Sequence, residues 1–304
     1  SRKAQTGSLF FCLRGARSNG EDFAPAAYAQ GCRCFVSEGT LDVPEDADVV
    51  RVSDARQALA QISAAFFGFP QRDVTIIGVT GTKGKTTVAE TACSVMNRMG
   101  LACGVIGSNG AAYAGKHVGT SNTTPESYEL MRLLRAMRDE GVRYVVMEVS
   151  SHALALQRVA GIHFAVGIFT NLTQDHLDFH GTMEAYCDAK AQLFQMCGAG
   201  VYNADDPWAP RLMAGAACRK ISIGEHGERK PDLAAEHIAL TAQGVSFDAV
   251  APGERVAIHV GIPGGFMVYN TLGVLAAARE LGIPLEQSAH VLRHSAHVKG
   301  RVEV

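Results

Sequence analysis

The 304-residue chain is 47% hydrophobic and 19% charged, an ordinary balance for a soluble α/β protein of about two domains. Its net charge of −2 provides no basic field for nucleic acid, and no stretch approaches the roughly 18 apolar residues of a membrane span, so small molecules are the expected partners. The eight cysteines are scattered, and the one close pair, Cys32 and Cys34, has neither zinc-site nor thioredoxin spacing. With no signal peptide at its start, which reads Ser1-Arg2-Lys3 without an initiator methionine, reduced cysteines and a cytoplasmic location are expected.

Along the first 70 residues an apolar run, Ser8 to Leu13, precedes a polar turn and a helix-like Phe23 to Gln30 that Gly31 ends. A strand-like Cys34 to Ser37 follows, and Asp54 to Phe67 carries apolar positions at helical spacing. A small α/β domain over residues 1–70 is expected. Pro70 to Asp73 reads as a linker, after which strand and helix patterns alternate as in a parallel sheet covered on both faces.

The run Val74 to Thr87, VTIIGVTGTKGKTT, joins a buried-strand pattern to a phosphate cradle. A glycine-rich turn after a parallel strand aims backbone N–H groups at phosphate oxygens, Lys85 adds a point charge, Thr86 offers a hydroxyl to Mg²⁺, and the next helix points its positive end there. The generic pattern wants glycine where Val79 stands, so the loop is the narrower variant TGTxGKTT. The helix is expected to run to Met99 and stop at Gly100. A strand at Val105 and Ile106 precedes a helix capped by Thr124 with Pro125 at its first position and closed at Gly141. Strands at Tyr144 to Val149 and Ala165 to Phe169 complete the central pattern. Beyond Lys220 short strands at Ile221 to Ile223, Gly244 to Ala249 and Val256 to Val260 suggest an antiparallel piece, and helices return at Tyr269 to Leu281 and Leu285 to Leu292.

Glu148 ends an apolar strand, where open α/β sheets bind ligands and where a buried carboxylate needs a cation or donors. The next strand delivers Asp175, His176, Asp178 and His180 within six residues. For Asp178 and His180 turn and capping bonds suffice, whereas His176 suits a metal or phosphate role. Lys190, on the helix begun near Thr182, is by itself an ordinary solvated helix lysine.

Together these segments resemble the Mur ligase superfamily and, within it, the UDP-N-acetylmuramoyl-tripeptide synthetases of MurE type. The matching segments are TGTKGKTT (80–87), SNTTPES (121–127), MEVSSHAL (147–154), TNLTQDHLDFHGTMEAY (170–186) with Lys190, NADDP (203–207) and GRVEV (300–304). The resemblance implies ATP held by Gly81, Thr82, Lys83, Gly84, Lys85, Thr86 and Thr87, with Asn270 at the adenine and Arg301 near the nucleotide. It implies one Mg²⁺ on Thr86 and Glu148, and a second on His176 and Lys190, the lysine carbamylated by CO₂. It further assigns Ser1, Arg2, Thr123, Thr124, Ser150 and Arg158 to UDP-MurNAc-L-Ala-D-Glu, with Lys85, Glu148, His176 and Lys190 as the catalytic set.

The implied organisation is a UDP-binding domain at 1–70, an ATP-binding domain at 71–299 and, at 300–304, the start of a hinge to a third, amino-acid-binding domain that these residues do not include. The implied reaction is phosphorylation of the D-glutamyl carboxylate and displacement of phosphate by the amine of L-lysine or meso-diaminopimelate, by a monomer. Lys83 and Met267 depart from the asparagines usual at those places, which would weaken nucleotide contacts. Other readings are a MurF-type ligase, which would differ in the NTTPES and MEVSSH segments, and a folylpolyglutamate synthetase, expected to begin near the phosphate loop. A P-loop ATPase switch would hydrolyse nucleotide without a peptide substrate, and a non-catalytic UDP-sugar or nucleotide module would only bind.

Overall fold

A computed structural model describes residues 4–15, 18–225 and 230–293. Three short parallel strands, β1 (Leu9–Phe11), β2 (Cys34–Ser37) and β3 (Asp48–Arg51), form a small sheet in that order. Helix α1 (Ala24–Ala29) covers it over a core of Cys12, Ala24, Ala27, Cys32 and Phe35. Helix α2 (Ala55–Phe66) begins at Asp54, whose carboxylate accepts the N–H groups of Arg56 and Gln57 at 2.9 Å and so satisfies two orphan donors of the first turn. Ala64 of α2 belongs to the core of the large sheet that follows. The segment expected to be a linker is a 3₁₀ turn, Pro70–Arg72, with Pro70 buried and Asp73 ion-paired to Arg138 at 2.9 Å.

The large sheet contains β4 (Thr75–Thr80), β5 (Cys103–Gly107), β6 (Gly110–Tyr113), β7 (Lys116–Val118), β8 (Tyr144–Glu148), β9 (Phe164–Phe169), β10 (Cys197–Asn203), β11 (Arg219–Gly224), β12 (Leu233–Thr241), β13 (Gly244–Ala251) and β14 (Glu254–Val260). Their order is β14-β13-β12-β11-β10-β9-β4-β8-β5-β6-β7. Pairing is parallel from β12 through β5 and antiparallel at both edges. Successive side chains of a strand face opposite sides, so Ile77 and Val79 feed one core while Ile76 feeds the other. Helices α3 (Lys85–Arg98), α9 (Phe266–Glu280) and α10 (Leu285–Arg293) cover the first face with Val88, Val95, Leu272 and Leu285. Helices α4 (Ser127–Asp139), α5 (Ser151–Ala155), α7 (Met183–Ala191) and α8 (Ala209–Ala214) cover the second with Leu130, Leu154, Tyr186 and Leu212, and α6 (Leu177–His180) is a single turn before α7.

Two expectations need correction. Thr124 does not cap α4, which starts at Ser127 behind Glu126; its hydroxyl instead donates to Glu148 O at 2.9 Å and accepts from Ser150 N at 3.0 Å. The strands β3, β6, β7, β10 and β12 were not anticipated from the sequence, β3 falling where a loop was expected. Gly100 and Gly141 do follow α3 and α4, with φ of 77° and 81°, as helix-ending glycines do.

Candidate functional site

The carboxyl ends of β4, β8 and β9 lie side by side, because Val79 pairs with Glu148 and Thr80 with Phe169. The loops that leave these three strands therefore converge above the sheet. After β4 the chain turns through Gly81 (φ 147°) and Gly84 (φ 86°) into α3. A Cβ on Gly81 would stand 2.0 Å from Thr170 Oγ1, and one on Gly84 2.6 Å from Asn270 Oδ1, so glycine is required at both by contact and by backbone.

The loop after β9 laces this cradle. Asn171 O accepts from Thr82 N at 2.8 Å, while the Asn171 side chain accepts from Lys83 N and donates to Lys83 O, each at 3.0 Å. Thr170 Oγ1 also donates to Lys83 O, at 2.7 Å. Lys83 thus contributes its backbone to the cradle while its side chain is exposed. Lys85 Nζ donates to Gly81 O and Thr82 O at 2.9 Å.

Read from its neighbours alone Lys190 was expected to be a solvated helix lysine, and the structure corrects that reading. It is only 1% exposed, and its Nζ donates at 2.8 Å to the same Gly81 carbonyl that Lys85 uses. Burial and then the Lys85 charge push its pKa well below the ordinary lysine range. The Tyr186 ring lies 4.5 Å from Nζ, and the Tyr186 hydroxyl is 3.2 Å from Thr82 Oγ1.

Glu148 is likewise 1% exposed. Its Oε1 accepts from Ser108 N at 2.8 Å and its Oε2 makes a long 3.4 Å contact with Ser108 Oγ, so two donors from one residue face a carboxylate that can accept about four. Thr86 is buried beside the cradle, and Thr80 Oγ1 has no hydrogen-bond partner among the described residues. No group of three or more His, Cys, Asp and Glu side chains able to hold a metal occurs among the described residues. The Glu148 carboxylate with the Thr86 hydroxyl is a donor set of the kind that fits Mg²⁺, which keeps several waters and takes one or two carboxylates together with substrate phosphates. His176 sits in the left-handed region (φ 53°) with its side chain about half exposed and its Nδ1 3.5 Å from Asp175. Asn270 is buried against Gly84, and Met267 is a core residue one turn before it.

The profile described as "Mur ligase middle domain" matches residues 79–278, and "Mur ligase family, catalytic domain" matches residues 1–67. The chain belongs to the Mur ligase family. It is 40% identical over 307 residues to the "UDP-N-acetylmuramoyl-L-alanyl-D-glutamate–2,6-diaminopimelate ligase" of Clostridium botulinum, covering 100% of this chain and 63% of that protein. A solved structure with the same ligase name superposes with a TM-score of 0.86 at 28% identity, over 99% of this chain and 62% of the other. The MurF of Acinetobacter baumannii shares the fold, with a TM-score of 0.68 at 23% identity over 99% of this chain and 63% of that one. The chain thus spans about 63% of the length of the curated relative it matches.

In this Mur ligase chain the residues expected at the UDP-sugar form a connected wall. Thr123 Oγ1 lies 3.1 Å from Ser108 Oγ, Ser150 caps α5 through Ala153 N at 3.1 Å, and Arg158 donates to Thr124 O at 3.2 Å. Ser1, Arg2, Arg301 and the 300–304 segment lie outside the described residues. Asn171, Thr170, Tyr186 and Ser108 escaped sequence reasoning as site residues, although the first three lie inside the quoted TNLTQDHLDFHGTMEAY segment. Asp206 also did, inside the quoted NADDP. It is buried and accepts from Leu172 N and Trp208 N at 2.8 and 2.9 Å, and thereby anchors the loop that holds the cradle. His152 was given no role, and His180, expected to make only turn and capping bonds, makes a side-chain contact 29 residues away in sequence. His180 Nε2 lies 2.9 Å from Ser151 Oγ, and burial, then His152 and Lys190, lower its pKa to about 4.

Proposed function

We propose that the chain supplies the ATP and UDP-sugar sites of a ligase that joins a diamino acid to UDP-MurNAc-L-Ala-D-Glu through an acyl phosphate. The observation that carries this reading is Lys190, buried against the phosphate cradle with Lys85 on the same carbonyl. A structural lysine gains only one hydrogen bond and a ring contact there, whereas an amine held neutral by burial and by a neighbouring cation is the form that attacks CO₂, giving a carbamate and releasing a proton to water. Lys85, which disfavours an ammonium at this place, favours the carbamate anion.

Thr86 and Glu148 would hold one Mg²⁺, and His176 with the Lys190 carbamate a second. When bound, the two ions offset the repulsion between the substrate carboxylate and the nucleotide phosphates. Lys85 and the amides of Gly81 to Thr87 orient the triphosphate, with Asn270 and Arg301 toward the nucleotide. Thr123, Thr124, Ser150 and Arg158, with Ser1 and Arg2, hold the UDP-sugar. The D-glutamyl carboxylate attacks the γ-phosphorus and ADP leaves; the incoming amine then attacks the acyl carbon and phosphate leaves. L-lysine and meso-diaminopimelate are both candidates for the amine, and the name of the C. botulinum relative supports the second. A cytoplasmic monomer acting on small molecules is part of the same proposal; among the described residues no helix is long and apolar enough to cross a membrane.

Calorimetric titration of this chain with UDP-MurNAc-L-Ala-D-Glu should release heat that UDP competes away, while ligation by these 304 residues alone is weak. No heat and no competition would sink the ligase reading. In a full-length, ligation-competent protein Lys190→Ala should abolish product and be partly rescued by short carboxylates. Unchanged turnover would refute the carbamate role.

A further inference from the structure

The first turn of α2 reaches across to the turn that carries Arg158. Asp54 caps α2 with Oδ1, and its Oδ2 accepts from Gln157 Nε2 at 2.6 Å. Gln157 adopts φ of 55°, a left-handed conformation that residues other than glycine enter at a cost and that often marks a functional constraint. Arg56 donates to Leu156 O at 3.4 Å and to Arg14 O at 3.1 Å, and stands 3.8 Å from Glu126 Oε2. The other oxygen of Glu126 is 2.8 Å from Arg158 Nε. The turn Leu156 to Arg158 is therefore gripped on its backbone, on its strained residue and on its guanidinium, twice from one helix end.

We propose that Asp54 and Arg56 are positioning residues that fix Gln157 in its left-handed conformation and hold Glu126 against Arg158. The Arg158 guanidinium is then presented in one orientation to an anionic group of the UDP-sugar substrate, a carboxylate or a phosphate. The proposal rests on the ligase reading of the site, since it takes Arg158 as a substrate contact. A guanidinium is a rigid planar fork, so an orientation fixed beforehand spares the ordering cost on binding and selects for planar anions.

The test is calorimetric titration of the 304-residue chain with UDP-MurNAc-L-Ala-D-Glu and, separately, with ATP. Gln157→Gly accepts the left-handed backbone without strain yet loses the bond to Asp54. It should keep its melting temperature and ATP affinity while its affinity for the UDP-sugar falls roughly tenfold. Arg56→Ala should weaken UDP-sugar binding to a similar degree, and Arg56→Lys should recover only part, because an ammonium cannot span a carbonyl and a carboxylate as a fork does. UDP-sugar affinity within about twofold of wild type in both Gln157→Gly and Arg56→Ala, or a parallel loss of ATP affinity, would overturn the proposal alone. Absence of UDP-sugar binding in the wild type would overturn the ligase reading and this proposal with it.

Discussion

Helix α7 carries two charged side chains two positions apart that meet opposite fates. On its inner face Lys190 is buried with one carbonyl partner and another cation nearby; on its outer face Asp188 is about half exposed and forms a two-point ion pair with Arg211 at 2.8 and 2.7 Å. Water sets the difference. The outer pair would be solvated with or without its partner, whereas the inner amine has given up hydration, and with it the charged form, for a single hydrogen bond and gains little in the unmodified protein. An ionisable group buried at such a cost points to chemistry, and one kept in water points to nothing beyond solubility.

The strongest way to break the contrast is at the carbonyl on which the inner face closes. Gly81→Ala places a Cβ 2.0 Å from Thr170 Oγ1 at a φ of 147°, so backbone must move and the cradle with it. The expected loss is about 2–4 kcal/mol of stability, read from denaturant midpoints, with ATP affinity down at least about a hundredfold by calorimetry. A normal ATP affinity would mean that the cradle tolerates a shift that its lacing by Asn171 and Thr170 opposes.

The second largest effect has the opposite sign. In CO₂-free buffer Lys190→Met should raise stability by about 1–3 kcal/mol, because an apolar side chain of similar length replaces an amine that must give up its proton and its hydration on folding. The depressed pKa of Lys190 means the unfolded chain binds the extra proton first, so wild-type stability rises with pH through the window below the ordinary lysine value. The advantage of the methionine variant should therefore shrink as pH approaches about 10.4. A gap independent of pH would show that Lys190 keeps its proton in the folded chain and that burial does not hold it neutral.

The two faces also show what sequence makes legible. That Asp54 caps α2 was not read, although its residue type before an apolar periodic run signals it. Gly100 and Gly141 as helix ends and the Gly81 to Thr87 turn between strand and helix follow from local rules of backbone conformation. The burial of Lys190 does not, since nothing within four residues distinguishes it from a solvated lysine; it depends on Gly81, more than a hundred residues away. Strand β10, CGAGVYN, was missed for a similar reason. Its Gly200 lowers strand propensity, yet a Cβ there would stand 2.6 Å from Phe194 and 2.8 Å from Cys218 Sγ. Strand β12, LAAEHIALT, is composed largely of helix formers and is held extended by β13 and β11, with an irregularity between Glu236 and Ala239 and a left-handed His237. Thr124 misled in the other direction, because an N-cap residue type is equally suited to bonding a neighbouring strand end.

His180 gives a smaller effect on the inner wall. Its pKa of about 4 lies below the unfolded value near 6.5, so the unfolded chain protonates first and wild-type stability falls as pH drops across that interval. His180→Gln should remove part of that slope, and ring resonances followed by NMR should show His180 still neutral at about pH 5. Titration near 6.5 would mean that water reaches the wall between His180, His152 and Lys190.

The smallest effect belongs to the outer face and serves as the control for all the others. The Arg211 guanidinium grips both oxygens of Asp188, the geometry most favourable to a surface pair, and these hydrogen bonds shift both groups toward their charged forms. Exposure nevertheless screens it, and two long side chains must be ordered to keep it. Arg211→Ala is therefore expected to cost less than about 1 kcal/mol, to cost still less at high salt, and to leave ATP and UDP-sugar binding untouched. A double-mutant cycle with Asp188→Ala isolates the pair term. A coupling above about 2 kcal/mol, or a change in nucleotide affinity, would mean that the outer pair sets the pitch of α7 and so the position of Lys190, making the two faces one device.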